Sequence, residues 1–125
     1  MKKYYTPVEA SKTLPLVKRI VYDILEIGQR IGTLNLMQKD GEADNPEVEE
    51  LVDKLNGYLA ELEQIGCYFK DWNFTIGLVD FPAKINGKEV LLCWRSDEDN
   101  LKYYHDIEAG FAGRKLIPRE YFSES

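Results

Sequence analysis

The chain has 125 residues, of which 44% are hydrophobic and 30% charged, and its net charge at pH 7 is −6. These values predict one globular domain, and the acidic balance disfavours general binding to nucleic acids, anionic membranes or acidic partners, because phosphate and carboxylate groups require a basic surface. The residues after Met1 do not form an apolar run, and no apolar segment is long enough to span a bilayer, so we expect a cytoplasmic protein.

The first predicted element is a long helix with a break near its start. Thr6-Pro7-Val8-Glu9 has the form of a capping box with proline at the first helical position, so a helix begins there. Because proline disfavours the helical conformation of the residue before it, Leu14-Pro15 predicts a short helix and then a long one over residues 15–38. Apolar residues of the long helix recur at the steps of three and four that are typical of a coiled coil: Val17, Ile20, Ile24, Ile27, Ile31 and Leu34.

A second helix follows a polar loop at residues 39–44. Asn45-Pro46 supplies a cap and a proline at the first helical position, and Gly66 supplies the C-terminal cap, so the helix should cover residues 46–65. Its apolar residues form two overlapping rows, which is more than one antiparallel partner can cover. We therefore expect a helical hairpin whose surplus apolar surface packs on a sheet or on a second copy of the chain, and we predict a homodimer.

The centre of the second half is a β-hairpin. Leu78 to Ile85 and Lys88 to Arg95 are strand-like and flank Asn86-Gly87, the pair best suited to a two-residue type I′ turn, and this turn places Asp80 opposite Cys93. Side chains alternate along a strand, so one face is apolar and predicted to be core: Val79, Phe81, Ala83, Val90, Leu92 and Trp94. The other face is mixed: Asp80, Pro82, Lys84, Glu89, Leu91, Cys93 and Arg95.

The remaining strand-like runs complete the predicted fold. Cys67 to Lys70 is a candidate third strand, and Leu101 to His105 is a candidate fourth. The pattern as a whole predicts an α+β fold in a single domain over residues 1–125. A long antiparallel helical hairpin, over about residues 7–65, packs on a small, mainly antiparallel β-sheet within a β-rich part over about residues 67–118.

Six segments carry a family resemblance: Tyr5-Thr6-Pro7-Val8-Glu9-Ala10, Leu14-Pro15-Leu16-Val17, Gly77-Leu78-Val79-Asp80-Phe81-Pro82-Ala83, Gly87-Lys88-Glu89-Val90-Leu91-Leu92-Cys93-Trp94-Arg95, Tyr104-His105 and Gly110-Phe111-Ala112-Gly113-Arg114. Together they resemble a bacterial family known as domain of unknown function 2203. The resemblance extends over nearly the whole chain and departs at Tyr104, where a tryptophan is expected in relatives. It supports the fold and these signature residues, and it implies no substrate.

A candidate pocket lies on the mixed face, close to the single histidine of the chain. If Leu101 to His105 runs antiparallel beside Lys88 to Arg95, the imidazole joins that face, and the loop that follows brings Glu108 and Arg114 near. The predicted binding residues are Asp80, Cys93, Arg95, His105, Glu108 and Arg114. The side-chain ends of all of them except Cys93 are expected to gather within about 10 Å around a cleft. A structural ion-pair network would produce the same convergence.

Three kinds of chemistry are open to these residues. His105 and Glu108, with Asp80 as a third ligand, could chelate a divalent metal, although a histidine paired with a carboxylate at a sheet edge is commoner. Cys93 with His105 could form a nucleophile and base, although a cysteine in strand sequence usually packs. The turn before Arg114 could bind an anion, although such an arginine more often pairs with a local acid.

These observations leave two functions open. The first is an oligomeric ligand-binding or protein-interaction module with a polar pocket on the sheet face. The alternative is a small metal-assisted hydrolase that uses Asp80, His105 and Glu108. No cofactor is established by the sequence, and a divalent metal is the candidate. We expect a homodimer that binds neither nucleic acid nor membrane.

Overall fold

The computed structural model describes residues 3–38, 45–70 and 73–123, so the predicted loop at 39–44 lies outside the described residues. Within these ranges the chain forms two helices, five strands and two short 3₁₀ helices. In chain order they are α1 (Pro7–Met37), α2 (Pro46–Ile65), β1 (Tyr68–Lys70), β2 (Leu78–Ile85), β3 (Lys88–Arg95), β4 (Tyr103–Asp106), a 3₁₀ helix (Phe111–Gly113), β5 (Lys115–Leu116) and a second 3₁₀ helix (Arg119–Phe122). The predicted α+β fold is confirmed.

Helix α1 begins at the predicted capping box but does not break where the sequence predicts. The Thr6 hydroxyl accepts a hydrogen bond from the Glu9 amide at 3.1 Å, and the Thr6 amide donates to the Glu9 carboxylate at 2.9 Å. The helix then continues through Pro15, so the prediction of two separate helices is wrong. Buried residues lie on one face both before and after the exposed proline, at Ala10, Leu14, Val17 and Ile20. Their burial requires a continuous helix and outweighs the local cost of proline, about 3 kcal/mol.

The two helices run antiparallel. Arg30 of α1 pairs with Glu47, at the start of α2, over 3.2 Å, and the Tyr5 hydroxyl before α1 donates to the carbonyl of Ile65 at the end of α2. Helix α2 ends as predicted at Gly66, whose φ of 102° is left-handed. Among the described residues, no helix combines the length and the apolar character that crossing a membrane would require.

The sheet is a meander in the order β1-β2-β3-β4-β5, with every neighbouring pair antiparallel. Asn86 and Gly87 have φ values of 53° and 78°, as a type I′ turn requires, and the predicted register of Asp80 opposite Cys93 is confirmed. The antiparallel pairing of β4 with β3 is confirmed as well, with His105 opposite Leu91. The sheet ends in two very short edge strands, β1 of three residues and β5 of two, each of which carries a lysine.

The core lies between the helices and the apolar face of the β2–β3 hairpin. Phe81 and Trp94, predicted to be buried there, are 0% and 2% exposed. They belong to one cluster with residues of α1 and of the other strands, including Val17, Val21, Ile24, Val79, Leu92, Leu101 and Ile117. The mixed face of the hairpin is therefore the face turned away from this core, and we call it the outer face.

Candidate functional site

Three polar residues of the outer face are buried together. Asp80 of β2, Cys93 of β3 and His105 of β4 are each 1% exposed. One ligand atom from each, a carboxylate oxygen, the thiol sulfur and an imidazole nitrogen, lie within 4.8 Å of one another. We refer to these three residues as the Asp–Cys–His cluster. Three of the six residues that the sequence predicted to converge on this face meet at this point.

Strand register brings the cluster together. The type I′ turn sets Asp80 directly opposite Cys93 across the β2–β3 pair. His105 lies opposite Leu91, which is two residues from Cys93 and therefore on the same face of β3. The cluster is thus formed by three adjacent strands whose backbones are fixed by ladder hydrogen bonds, and it does not depend on a loop.

The ring of His105 is held by the backbone. Its Nδ1 lies 2.8 Å from the carbonyl oxygen of Asp106, and because a carbonyl can only accept, Nδ1 carries the proton of this hydrogen bond. In the neutral ring the other nitrogen, Nε2, then carries a lone pair. That nitrogen faces Asp80, with 3.4 Å between Nε2 and Oδ1.

Two groups approach the Asp80 carboxylate, and neither of its oxygens accepts a hydrogen bond of good geometry within the described part of the chain. The imidazole of His105 lies 3.4 Å from Oδ1, and the Lys70 ammonium lies 2.6 Å from Oδ2. Lys70 was missing from the predicted pocket. The signal lay in strand parity, because Tyr68 pairs with Asp80 and Lys70 follows Tyr68 on the same face.

Cys93 is a thiol held in its protonated form. Burial is the main cause that raises its pKa to about 12, and the negative charge of Asp80 adds to this, while Arg114 acts in the opposite direction. A thiol with this pKa is almost entirely protonated at neutral pH and is a poor nucleophile. The arrangement therefore does not favour the cysteine–histidine nucleophile considered from the sequence.

The two arginines of the predicted pocket make structural contacts beside the cluster. Arg114 donates to the backbone carbonyl of Cys93 at 3.1 Å and to the Glu98 carboxylate at 2.5 Å. It also stacks over Tyr103, with 4.0 Å from its guanidinium carbon to the ring centroid. Arg95 pairs with Asp97 through contacts of 2.5 and 2.8 Å. Arg114 follows the alternative in which such an arginine pairs with a local acid, and Arg95 likewise pairs with an acid two residues away.

Glu108 is placed apart from the cluster. It is exposed and lines a separate surface cavity of about 460 Å³ together with Lys88, Asp106 and Ile107. Of the six predicted binding residues, the structure therefore gathers Asp80, Cys93 and His105, with Arg114 at the border. The loop after β4 directs Glu108 elsewhere, so in the metal-ligating trio predicted from the sequence, Cys93 takes the position expected for Glu108.

Comparison with known proteins assigns no reaction to the Asp–Cys–His cluster. A family model described as an uncharacterized conserved protein (DUF2203) matches residues 3–117. The matched range contains both helices, all five strands and the whole Asp–Cys–His cluster. No curated protein and no solved structure matches the chain. The chemistry of the cluster is therefore the basis for assigning a function.

Proposed function

We propose that this chain, which belongs to the DUF2203 family, binds one divalent ion of the Zn²⁺ type through Asp80, Cys93 and His105. The observation that carries the proposal is the burial of three different ligand atoms within 4.8 Å of one another. Carboxylate oxygen, thiolate sulfur and imidazole nitrogen are ligands of Zn²⁺ and its neighbours in the first transition series. Ca²⁺ and Mg²⁺ take oxygen ligands, so this set does not suit them.

The spacing between the His105 and Asp80 ligand atoms supports a shared ion. Nε2 of His105 and Oδ1 of Asp80 are 3.4 Å apart, longer than the roughly 2.7–2.9 Å of a charged hydrogen bond. Two ligands about 2.0–2.1 Å from a tetrahedral Zn²⁺ lie about 3.3–3.4 Å from each other. The hydrogen bond from Nδ1 to the Asp106 carbonyl is also the usual means of orienting a metal-binding histidine.

The residues around the Asp–Cys–His cluster support an ion-binding module better than a hydrolase. The hydrolase alternative requires Glu108 as a ligand, and this side chain is exposed in a different cavity. Three protein ligands leave a fourth position of a tetrahedral ion for water or a small ligand. The bound ion would then serve as the centre of the ligand-binding site predicted on the sheet face.

Metal reconstitution tests the proposal. Protein freed of metal with a chelator and then supplied with Zn²⁺ or Co²⁺ should retain one ion per chain by native mass spectrometry. The Co²⁺ form should show the charge-transfer absorption of a thiolate ligand, and Cys93→Ser should lose it. Cys67→Ser is the matched control, because Cys67 is also buried with a pKa raised to about 12, and its sulfur contacts the Leu62 carbonyl at 3.6 Å.

Three results would contradict this assignment. If wild-type protein retains no ion, the proposal is wrong. If both cysteine variants lose the absorption equally, the effect reflects the fold rather than coordination. Glu108→Ala should keep the ion, and loss of the ion from this variant would favour the ligand set of the hydrolase alternative instead.

We also propose that the chain forms a homodimer through the end of the helical hairpin farthest from the sheet. After Gly28, no described residue of α1 is buried, and Leu62 is the single buried residue of α2. Apolar residues on this part of the hairpin are only half-buried, among them Ile31, Leu34, Val48 and Leu51. Two helices by themselves thus leave an apolar strip that a second copy can cover.

Sedimentation at micromolar concentration should give a dimer. Replacing Leu36 and Val52, which are 89% and 37% exposed, by lysine should produce monomers, because the charges would have to be buried in the interface. Leu116→Lys is the control, since this residue is 67% exposed at the edge of the sheet. A wild-type monomer under these conditions would contradict the proposal.

A further inference from the structure

One side chain of the outer face links the cluster to solvent. The Lys70 ammonium lies 2.6 Å from Asp80 Oδ2, and the side chain of Lys70 is 50% exposed whereas that of Asp80 is 2% exposed. Lys70 is the last residue of the edge strand β1, so its backbone is held by pairing on one side of the strand. The flexible four-carbon stem of Lys70 thus lies partly in solvent and holds its ammonium against the buried carboxylate of Asp80.

The charges of the cluster balance differently with and without a divalent ion. Without the ion, the Lys70 ammonium, 2.6 Å from Oδ2, places a positive charge directly on the buried Asp80 carboxylate. When a divalent ion binds, Cys93 releases its proton to solvent and coordinates as a thiolate. The ion then balances the thiolate and the carboxylate by itself, and the charge of Lys70 becomes surplus.

We propose that Lys70 is a tethered counter-cation that occupies the site when the metal is absent and leaves for solvent when the metal binds. This inference rests on the metal site proposed above. Lys70 would stabilise the metal-free sheet by neutralising Asp80, and it would weaken metal binding because the ion must displace it. The lysine would thereby set the free metal concentration at which the site fills.

One substitution should therefore have two effects of opposite sign. Lys70→Met keeps the aliphatic stem and removes the charge, so the metal-free protein should unfold at a lower denaturant concentration. The same variant should bind Zn²⁺ about tenfold more tightly, because no cation has to be displaced from the Asp80 carboxylate. A lysine with a merely structural role would give the first effect without the second.

Competition of the protein with a chromophoric chelator for Zn²⁺ measures the affinity, and urea unfolding in excess chelator measures the metal-free stability. Lys88→Met is the matched control, because Lys88 lies on the same sheet, is 69% exposed and pairs with Asp106 at 3.6 Å. It removes the same charge and should change the Zn²⁺ affinity by less than about twofold. Lys70→Gln offers a second uncharged side chain and should bind Zn²⁺ as tightly as Lys70→Met.

The outcomes distinguish the role of Lys70 from the proposed metal site on which it rests. If wild-type protein binds Zn²⁺ and both Lys70 variants bind it with unchanged or weaker affinity, the role of Lys70 is refuted and the metal site stands. If none of the proteins binds Zn²⁺, both are refuted. Equal tightening in Lys70→Met and Lys88→Met would attribute the effect to net charge and would also refute the role of Lys70.

Discussion

Both faces of the sheet contain residues that are inaccessible to water, but these residues are buried by different means. On the face toward the helices, Phe81 and Trp94 lie in a continuous apolar core. On the outer face, Asp80 and His105 are as little exposed as these aromatic residues, although both are polar. Burial of apolar surface stabilises a fold, whereas burial of a carboxylate costs free energy unless other charges compensate it. The helix-facing side therefore explains why the chain folds, and the outer side is the place to look for what the chain does.

The two cysteines repeat this contrast on a smaller scale. Both are buried free thiols with a pKa raised to about 12. At Cys67, within the apolar core, burial alone causes the rise. At Cys93 the negative charge of Asp80 contributes as well. The same side chain is thus inert packing on one face and a candidate ligand on the other.

The largest expected effect concerns the helix-facing side. Phe81→Ala should lower the free energy of unfolding by about 3–5 kcal/mol, because it removes a fully buried ring from a packed core. Urea unfolding measures this, with Leu116→Ala as a control at a position that is 67% exposed. A loss below about 1 kcal/mol would mean that this face is not the main core.

A smaller loss is expected on the outer face. In excess chelator, Asp80→Asn should lower the free energy of unfolding by about 2 kcal/mol, because the substitution removes a buried charge that contacts Lys70 and His105. Asp106→Asn is the control. Its half-buried carboxylate pairs with Lys88 and Lys115 at 3.6 and 3.8 Å, and its loss should cost less than about 1 kcal/mol. A more stable Asp80→Asn protein would show that the outer face gains nothing from its charges.

Alkaline pH should affect the thiols of both faces. A thiol pKa raised by folding contributes stability that is fully present below the ordinary value of about 9.0 and is lost as the pH rises toward about 12. At pH 9.5 each thiol should account for a loss of about 1 kcal/mol. Urea unfolding from pH 7 to 9.5 should therefore show a shallower decline for Cys67→Ala than for wild type. Equal slopes would mean that Cys67 ionises as readily in the folded protein as in the unfolded chain.

The smallest effect concerns the turn that both faces share. The Tyr121 hydroxyl donates to the Asn86 side chain and accepts from the Asn86 amide, each at 2.9 Å. Tyr121→Phe should cost about 1 kcal/mol or less, since these bonds are exposed. Neither the alkaline decline nor the retention of metal should change. A change in metal retention would show that the turn controls the alignment of the cluster.

Local rules were sufficient for the hairpin and insufficient for the first helix. Asn86-Gly87 specifies a turn type, and with it the register that sets Asp80 opposite Cys93, so this part of the site follows from the sequence. The break predicted at Pro15 rested on an equally local rule. It is wrong because residues far along the chain bury the helix face on both sides of the proline. The conformational propensity of a short segment therefore decides its structure only where no tertiary contact opposes it.

The rest of the site depends on contacts that spacing does not reveal. His105 was predictable because a short connection favours an antiparallel neighbour for β3. Glu108 was placed by its separation of three from His105, which assumes a helical turn, whereas the structure has a strand ending at Asp106 and an exposed turn. Lys70 was missed because the neighbour of β1 was not assigned, and the side chain reaches Asp80 only through the β1–β2 pairing.

The short strands at the two margins of the sheet limit how copies of this chain can meet. An exposed margin of a sheet is a template on which another chain can add a strand, and long, flat, apolar margins promote fibrous aggregation. Here β1 offers three residues and β5 two, and Lys70 and Lys115 place a positive charge on each. Two such margins provide few backbone groups for pairing. Growth by strand addition is therefore disfavoured at both margins, and side-chain contacts are the more favourable way for copies to meet.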